Sequence, residues 1–252
     1  MVYNWLTRTL NSVMPQQCLG CGAASPEHRL CSGCFRDLPW LGAACTVCGI
    51  PLGGIELDAA SAGGHSICGE CLTTPPHVDH CITPLRYEFP LPSLLARFKQ
   101  QRRQAYGAAL ADILGRHLLQ HLQQAGPASA RPQCIVPVPL HPWTLRRRGF
   151  NQAQLLATEV GRRLDIPVTP ALLKRIKRAP AQHTLSARER QRNLLSAFAV
   201  AGDCSQLTHV AVLDDVVTTM TTANTLAQLL KQQGVQRVDI WAVARTPRLL
   251  NG

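Results

Sequence analysis

Between Val210 and Thr222 the chain reads VAVLDDVVTTMTT, which sets two carboxylates directly ahead of a cluster of hydroxyls. Val210, Ala211, Val212 and Leu213 form the short apolar run expected of a strand buried on both faces. Asp214 and Asp215 are expected to end that strand, and after Val216 and Val217 come Thr218, Thr219, Met220, Thr221 and Thr222. Ala223, Leu226, Ala227, Leu229 and Leu230 then recur at helical spacing. Hydroxyls and free backbone N–H groups therefore gather at a helix N-terminus, where the macrodipole favours an anion. Two acids beside such a cradle fit a sugar phosphate. The loop holds the phosphate, and the carboxylates accept hydrogen bonds from two neighbouring hydroxyls or hold them through a divalent cation.

A second chemistry is written in the cysteines. Cys18-x2-Cys21, Cys31-x2-Cys34, Cys45-x2-Cys48 and Cys68-x2-Cys71 are four knuckles, each placing two thiolates on one tight turn. Two knuckles complete a tetrahedral four-sulfur set, so four predict two closed structural Zn2+ sites. Consecutive and interleaved pairing of the knuckles both satisfy that count. An iron–sulfur cluster is the chemical rival, less favoured because paired knuckles are the usual zinc arrangement. Cys81, Cys134 and Cys204 have no knuckle partner and read as small buried residues. His65, His77 and His80 offer alternative ligands that no spacing demands.

A third feature is positive charge. The 252 residues carry 26 Lys and Arg against 15 Asp and Glu, a formal net charge of +11, which makes a polyanionic partner plausible. Arg146, Arg147 and Arg148, the KRIKR run at 174–178, and Arg188, Arg190 and Arg192 are three cationic clusters, and Phe150 adds a stacking platform beside the first. With 46% apolar residues the chain can build a sizeable core. It contains no membrane span and no signal-peptide pattern, so a cytoplasmic location with reduced cysteines is expected.

The elements that must position these groups follow from periodicity. Residues 1–14 suit a short amphipathic helix. Nine of the eleven cysteines fall between Cys18 and Cys81, where helical periodicity is poor and metal must supply the folding energy. Helices are expected around Leu94–Phe98, ending in Lys99, Arg102 and Arg103, and from about 105 to 124. Ile135, Val136 and Val138 form a strand closed by Pro137, Pro139 and Pro142. Arg146 to Gln152 open a helix running through Leu164, and Ser186 with Glu189 forms a capping box. A strand at 209–213, a helix at 222–232 and a strand from Val238 to Val243 make a βαβ unit, with the anion loop at the carboxyl end of a parallel strand.

The 210–222 stretch resembles the phosphoribosyl pyrophosphate (PRPP) loop of type I phosphoribosyltransferases: four apolar residues, two acids, two apolar residues and a Thr-rich turn. Met220 stands where that family usually has Gly, which permits φ > 0 and close backbone approach to phosphate. Weak PRPP binding is therefore expected, strengthened about tenfold by Met220→Gly. Across Cys18 to about Thr246, VPVPL, RRRGFNQA, the 182–193 segment with its Arg188, Arg190 and Arg192, and the zinc knuckles together resemble the ComF/GntX family of competence and DNA-utilisation proteins. That resemblance implies an α/β fold: a type I phosphoribosyltransferase-like parallel sheet flanked by helices (83–252), preceded by an N-terminal helix and a small double zinc ribbon with four-cysteine sites (1–82). It also implies PRPP binding through Asp214, Asp215 and residues 218–222, with Val138, Pro139 and Leu140 as the pyrophosphate loop and Mg2+ on the pyrophosphate. Single-stranded DNA and other DNA-uptake proteins are the implied partners. The alternative is an active phosphoribosyltransferase whose acceptor no segment identifies. The preferred reading keeps the fold as a binding or DNA-handling module.

Overall fold

The computed structural model describes residues 17–25, 29–52, 66–101, 104–124, 131–177 and 195–247. The expected 1–14 helix, the capping box at Ser186, and Arg188, Arg190 and Arg192 lie outside the described residues, as do His65, Arg102, Arg103 and Arg178. Among the described residues fourteen elements follow in order: α1 (Ser32–Arg36), α2 (Gly69–Thr73), β1 (His80–Ile82), β2 (Leu85–Arg86), α3 (Leu91–Gln101), α4 (Gln104–Gln124), β3 (Cys134–Pro137), α5 (Pro142–Arg148), α6 (Gln152–Leu164), β4 (Leu173–Arg175), β5 (Phe198–Val200), β6 (His209–Val217), α7 (Thr221–Gln232) and β7 (Arg237–Arg245).

The main sheet runs in the order β1-β7-β6-β3, with β2 also on β7, and every pairing in it is parallel. Both faces of β6 are covered, as its unbroken apolar run requires. Strand alternation sends Ala211 and Leu213 into a core with Leu110, Leu114, Leu118, Leu156 and Val160 of α4 and α6. Val210 and Val212 enter a second core with Leu226, Ala227 and Leu230 of α7. Gly161 lets α6 sit close to the following loop, since a Cβ there would lie 2.7 Å from the Ile166 carbonyl oxygen. β1 lies N-terminal of residue 83, where the second domain was expected to begin, yet pairs with β7.

Two expectations need correction. β6 does not stop at the acids: Asp214 pairs with Ala242, Val216 with Ala244 and Val217 with Arg245. Continuous pairing with β7 overrides the poor strand propensity of aspartate. The helix expected to open at Arg146 is two helices. Pro142 does not merely close a strand; it starts α5, with His141 capping through Nδ1 and Gly149 ending it at φ 82. Among the described residues, no helix is long and apolar enough to cross a membrane.

Candidate functional site

The carboxyl end of β3 lies beside the middle of β6, where Pro137 pairs with Leu213 and Val138 N–H donates to the Leu213 carbonyl at 2.9 Å, while β6 runs on to Val217. Asn151 fastens this junction from α6: its Nδ2 donates to the Val138 carbonyl at 3.0 Å while its Oδ1 caps Ala153 N–H. Beyond Val217 the chain turns at Met220, whose φ of 61° is left-handed, and α7 begins at once. Met220 offers no side-chain cap, so the first-turn N–H groups of α7 are left for an external acceptor. Thr218, Thr219 and Thr221 are exposed, and the Thr219 and Thr221 hydroxyls meet at 2.8 Å. A cavity of about 90 Å³ is lined by Val138, Asp214, Val216 and every residue from Val217 to Ala223. Of the expected pyrophosphate loop only Val138 reaches it; Pro139 is buried and Leu140 half-buried. The space has room for one phosphate-sized group.

Of the two acids only Asp214 lines the cavity. Asp215 is paired with Lys99 from the last turn of α3. The Asp214 carboxyl is pushed from 3.8 up to about 8, first by burial and then by the charge of Asp215, with Lys99 opposing. A ligand that brings a cation needs the carboxylate, and one that donates hydroxyls binds it more strongly than the neutral acid, so binding below about pH 8 is coupled to release of a proton. Affinity for such a ligand should rise with pH between about 6 and 8, by at most tenfold per unit, and then level off. The free protein should move the other way. Its native state holds this proton over the window from the unfolded pKa to about 8, so stability falls as pH rises. Calorimetric titration and thermal melts across pH 6–9 check the opposed signs.

The cysteines resolve the pairing question in favour of consecutive knuckles. Cys18, Cys21, Cys31 and Cys34 form one group and Cys45, Cys48, Cys68 and Cys71 the other, with all sulfurs in each within 4.8 Å of one another. Separations of 3.8 Å (Cys21 to Cys31) and 3.7 Å (Cys48 to Cys68) match the roughly 3.8 Å edge of a tetrahedron with zinc–sulfur bonds of about 2.3 Å. Backbone donors are aimed at the sulfurs, among them Cys31 N–H to Cys18 at 3.2 Å and Cys68 N–H to Cys45 at 3.3 Å. Burial raises the Cys18 and Cys45 thiols, but these N–H groups outweigh it and bring them down to about 6 and about 7. Burial and the neighbouring sulfurs push Cys34 up to about 12 and Cys48 up to about 11, so the four sulfurs of a group ionise together only around a cation; their tetrahedral spacing fits Zn2+, which would bridge these chain segments. No histidine joins either group among the described residues. Cys81, Cys134 and Cys204 are buried singly, and burial pushes Cys81 up to about 12.

The first arginine cluster projects from α5 immediately after the β3 loop. Arg146 and Arg147 are exposed, and the Arg147 guanidinium lies 5.1 Å over the Trp143 ring. The Phe150 ring, expected as the platform, is half-buried, its centroid 5.8 Å from that of Phe98. Trp143 is the exposed ring here, at 44%. Of the KRIKR run, Lys174 and Arg175 lie on β4, and Arg175 covers the Phe198 ring of β5.

Residues 9–72 match the model of the double zinc ribbon domain. Competence protein F of Haemophilus influenzae is 35% identical over 224 residues, covering 87% of this chain and 91% of that protein. The chain belongs to the ComF/GntX family. DNA utilization protein YhgH of Escherichia coli K12 is 35% identical over 219 residues, covering 86% and 90%. Among solved structures, adenine phosphoribosyltransferase of Saccharomyces cerevisiae aligns with 58% of this chain and 72% of its own, at 15% identity and TM-score 0.36. A purine phosphoribosyltransferase of Pyrococcus horikoshii aligns with 54% and 83%, at 16% identity and TM-score 0.34.

This ComF-family chain thus has a parallel sheet flanked by helices behind a double zinc ribbon. A larger cavity of about 500 Å³ lies between α1, α4 and α6. Carboxylates already engage three of its arginines, Arg163 and Arg116 on Asp112 and Arg162 on Glu159, and it offers no hydroxyl cluster or acid pair for a sugar phosphate. Lys99, Asn151, Trp143 and Arg245 are site residues to which the sequence pattern gave no role. Lys99 had one signal, its place in a basic run, but nothing in that run names Asp215 as its partner.

Proposed function

We propose that this ComF-family protein binds PRPP at the 214–222 loop and single-stranded DNA along α5, as a DNA-utilisation module rather than as a nucleobase phosphoribosyltransferase. The observation that carries the reading is the left-handed turn at Met220, which starts α7 uncapped at a cavity that Asp214 also lines. The phosphate takes the helix N-terminus, and the carboxylates take the ribose hydroxyls. Mg2+ arriving with PRPP would be held by the Asp214 carboxylate and would neutralise pyrophosphate charge. Arg146, Arg147 and Arg148 neutralise DNA phosphates without reading sequence, while Trp143 stacks on a base. The relatives' names, competence protein F and DNA utilization protein, support the DNA half of the proposal.

Fluorescence titration with labelled single-stranded DNA tests it. Affinity should fall steeply with salt, and Arg147→Glu with Arg148→Glu should weaken binding at least tenfold at about 50 mM salt and flatten the log–log salt slope by about 1.4. Trp143→Ala should cost about 1–3 kcal/mol. Absence of binding at about 50 mM salt, where counterion release still favours association, removes the DNA half. No pyrophosphate release is expected with PRPP and each nucleobase in turn; release with one of them would establish the enzymatic alternative.

A further inference from the structure

The second cysteine group touches the anion loop at two points. Cys45, Cys48, Cys71 and Ile50 form a small apolar cluster, and the half-buried Met220 side chain packs against it. The same side chain packs against the α7 face of the sheet core, so Met220 bridges ribbon and loop. The second point is Arg245, at the end of β7 and only 5% exposed. Its Nε donates to the Cys48 carbonyl at 2.8 Å, inside the second metal knuckle. Its Nη1 donates to the carbonyls of Val217, at 3.3 Å, and of Thr218 and Thr246. One guanidinium therefore ties the knuckle to the first residues of the loop. A trans peptide sets N–H opposite C=O, so drawing the Val217 and Thr218 carbonyls towards Arg245 turns the N–H groups of Thr218 and Thr219 the other way.

Charge completes the pattern. The hydrogen bonds of Arg245 run to carbonyl oxygens, and a buried cation without a counter-charge is costly. Four thiolates around one dication carry net negative charge, and the Cys48 carbonyl places that charge beside Arg245. Met220 explains itself on the same grounds. A left-handed Met costs about 1–2 kcal/mol, and the contact with the ribbon is what holds it there.

We propose that zinc in the second cysteine site clamps the phosphate-binding turn through Arg245 and Met220, making these two positioning residues and the loop's anion affinity dependent on zinc occupancy. The affinity consequence rests on the PRPP reading above, whereas the clamp itself does not. By linkage, a loop ligand should also slow zinc loss from this site.

Hydrogen exchange on the full-length, zinc-loaded protein separates the two. In Cys71→Ser, amides from Val217 to Thr222 should exchange at least tenfold faster than in the wild type, while those of α6 keep their protection. Arg245→Gln and Met220→Ala should loosen the same amides with both zinc ions retained, which keeps the test open if Cys71→Ser does not fold. PRPP affinity should fall about tenfold in each variant. Unchanged loop exchange in all three variants, or equal loosening of α6, overturns the clamp. Loosened loop amides in a protein whose wild type ignores PRPP would uphold the clamp and sink the ligand reading.

Discussion

Elemental analysis of the purified protein should give about two zinc ions per chain, and stripping them should have the largest effect of any single change. Structural zinc contributes roughly 10–16 kcal/mol of apparent binding free energy in small metal-folded units, and the two knuckle pairs have little apolar core to replace it. Strong chelators should therefore unfold the segment from Cys18 to about Thr74, seen as loss of its amide protection. The sheet should survive, because its core lies between α4, α6 and α7. It should melt at lower temperature, because Cys18, Leu30 and Leu38 belong to that core and Arg245 loses its anchor at Cys48. Less than one zinc per chain, or a visible iron–sulfur chromophore, would contradict the assignment.

The second large effect is expected at the acid pair. Asp214→Asn combined with Asp215→Asn should weaken PRPP binding on the order of 100-fold, about 2.8 kcal/mol, since two charged acceptors for ribose hydroxyls become neutral amides. Folding should be spared. Asp214 is held protonated to about pH 8 in the free protein, so the amide replaces a group already neutral at pH 7. Asp215→Asn gives up the pairing with Lys99, whose side chain is 33% exposed and can turn to water. The rise of affinity with pH should vanish in the double variant, which identifies Asp214 as its source. Wild-type affinity with intact pH dependence would place the ligand elsewhere.

The loop and its acids were legible because each part leaves a local mark: an unbroken apolar run, two acids, then hydroxyls at a helix start. The cysteine spacing was legible for the same reason, although only the folded chain could show that consecutive knuckles pair. What the pattern hid was long-range or depended on context. The strand was expected to stop at Asp214 because aspartate disfavours strands, yet β7 supplies a ladder up to Val217. Helix α5 was hidden behind Pro142, read as a terminator although proline also suits the first turn of a helix. Phe150 drew attention by its place after three arginines, while packing on Phe98 turned it inward and left Trp143 outside. Arg245 lies 197 residues from Cys48, and no periodicity connects them. Met220 looked like a defect in a glycine position. Its contact with the second cysteine group makes Gly there a trade: the turn loses strain and the loop loses an anchor, so the tenfold gain expected from sequence shrinks.

The 214–222 loop is proposed as a sugar-phosphate site. Its most direct test is an amide NMR titration of the zinc-loaded protein with PRPP at pH 8, where Asp214 is free to ionise. Shifts should concentrate at Thr218 to Ala223 and Val138, be reproduced in part by ribose 5-phosphate, and saturate as a single site. Saturating PRPP that leaves these amides unmoved, or moves only those around the larger cavity of α1, α4 and α6, would contradict the account.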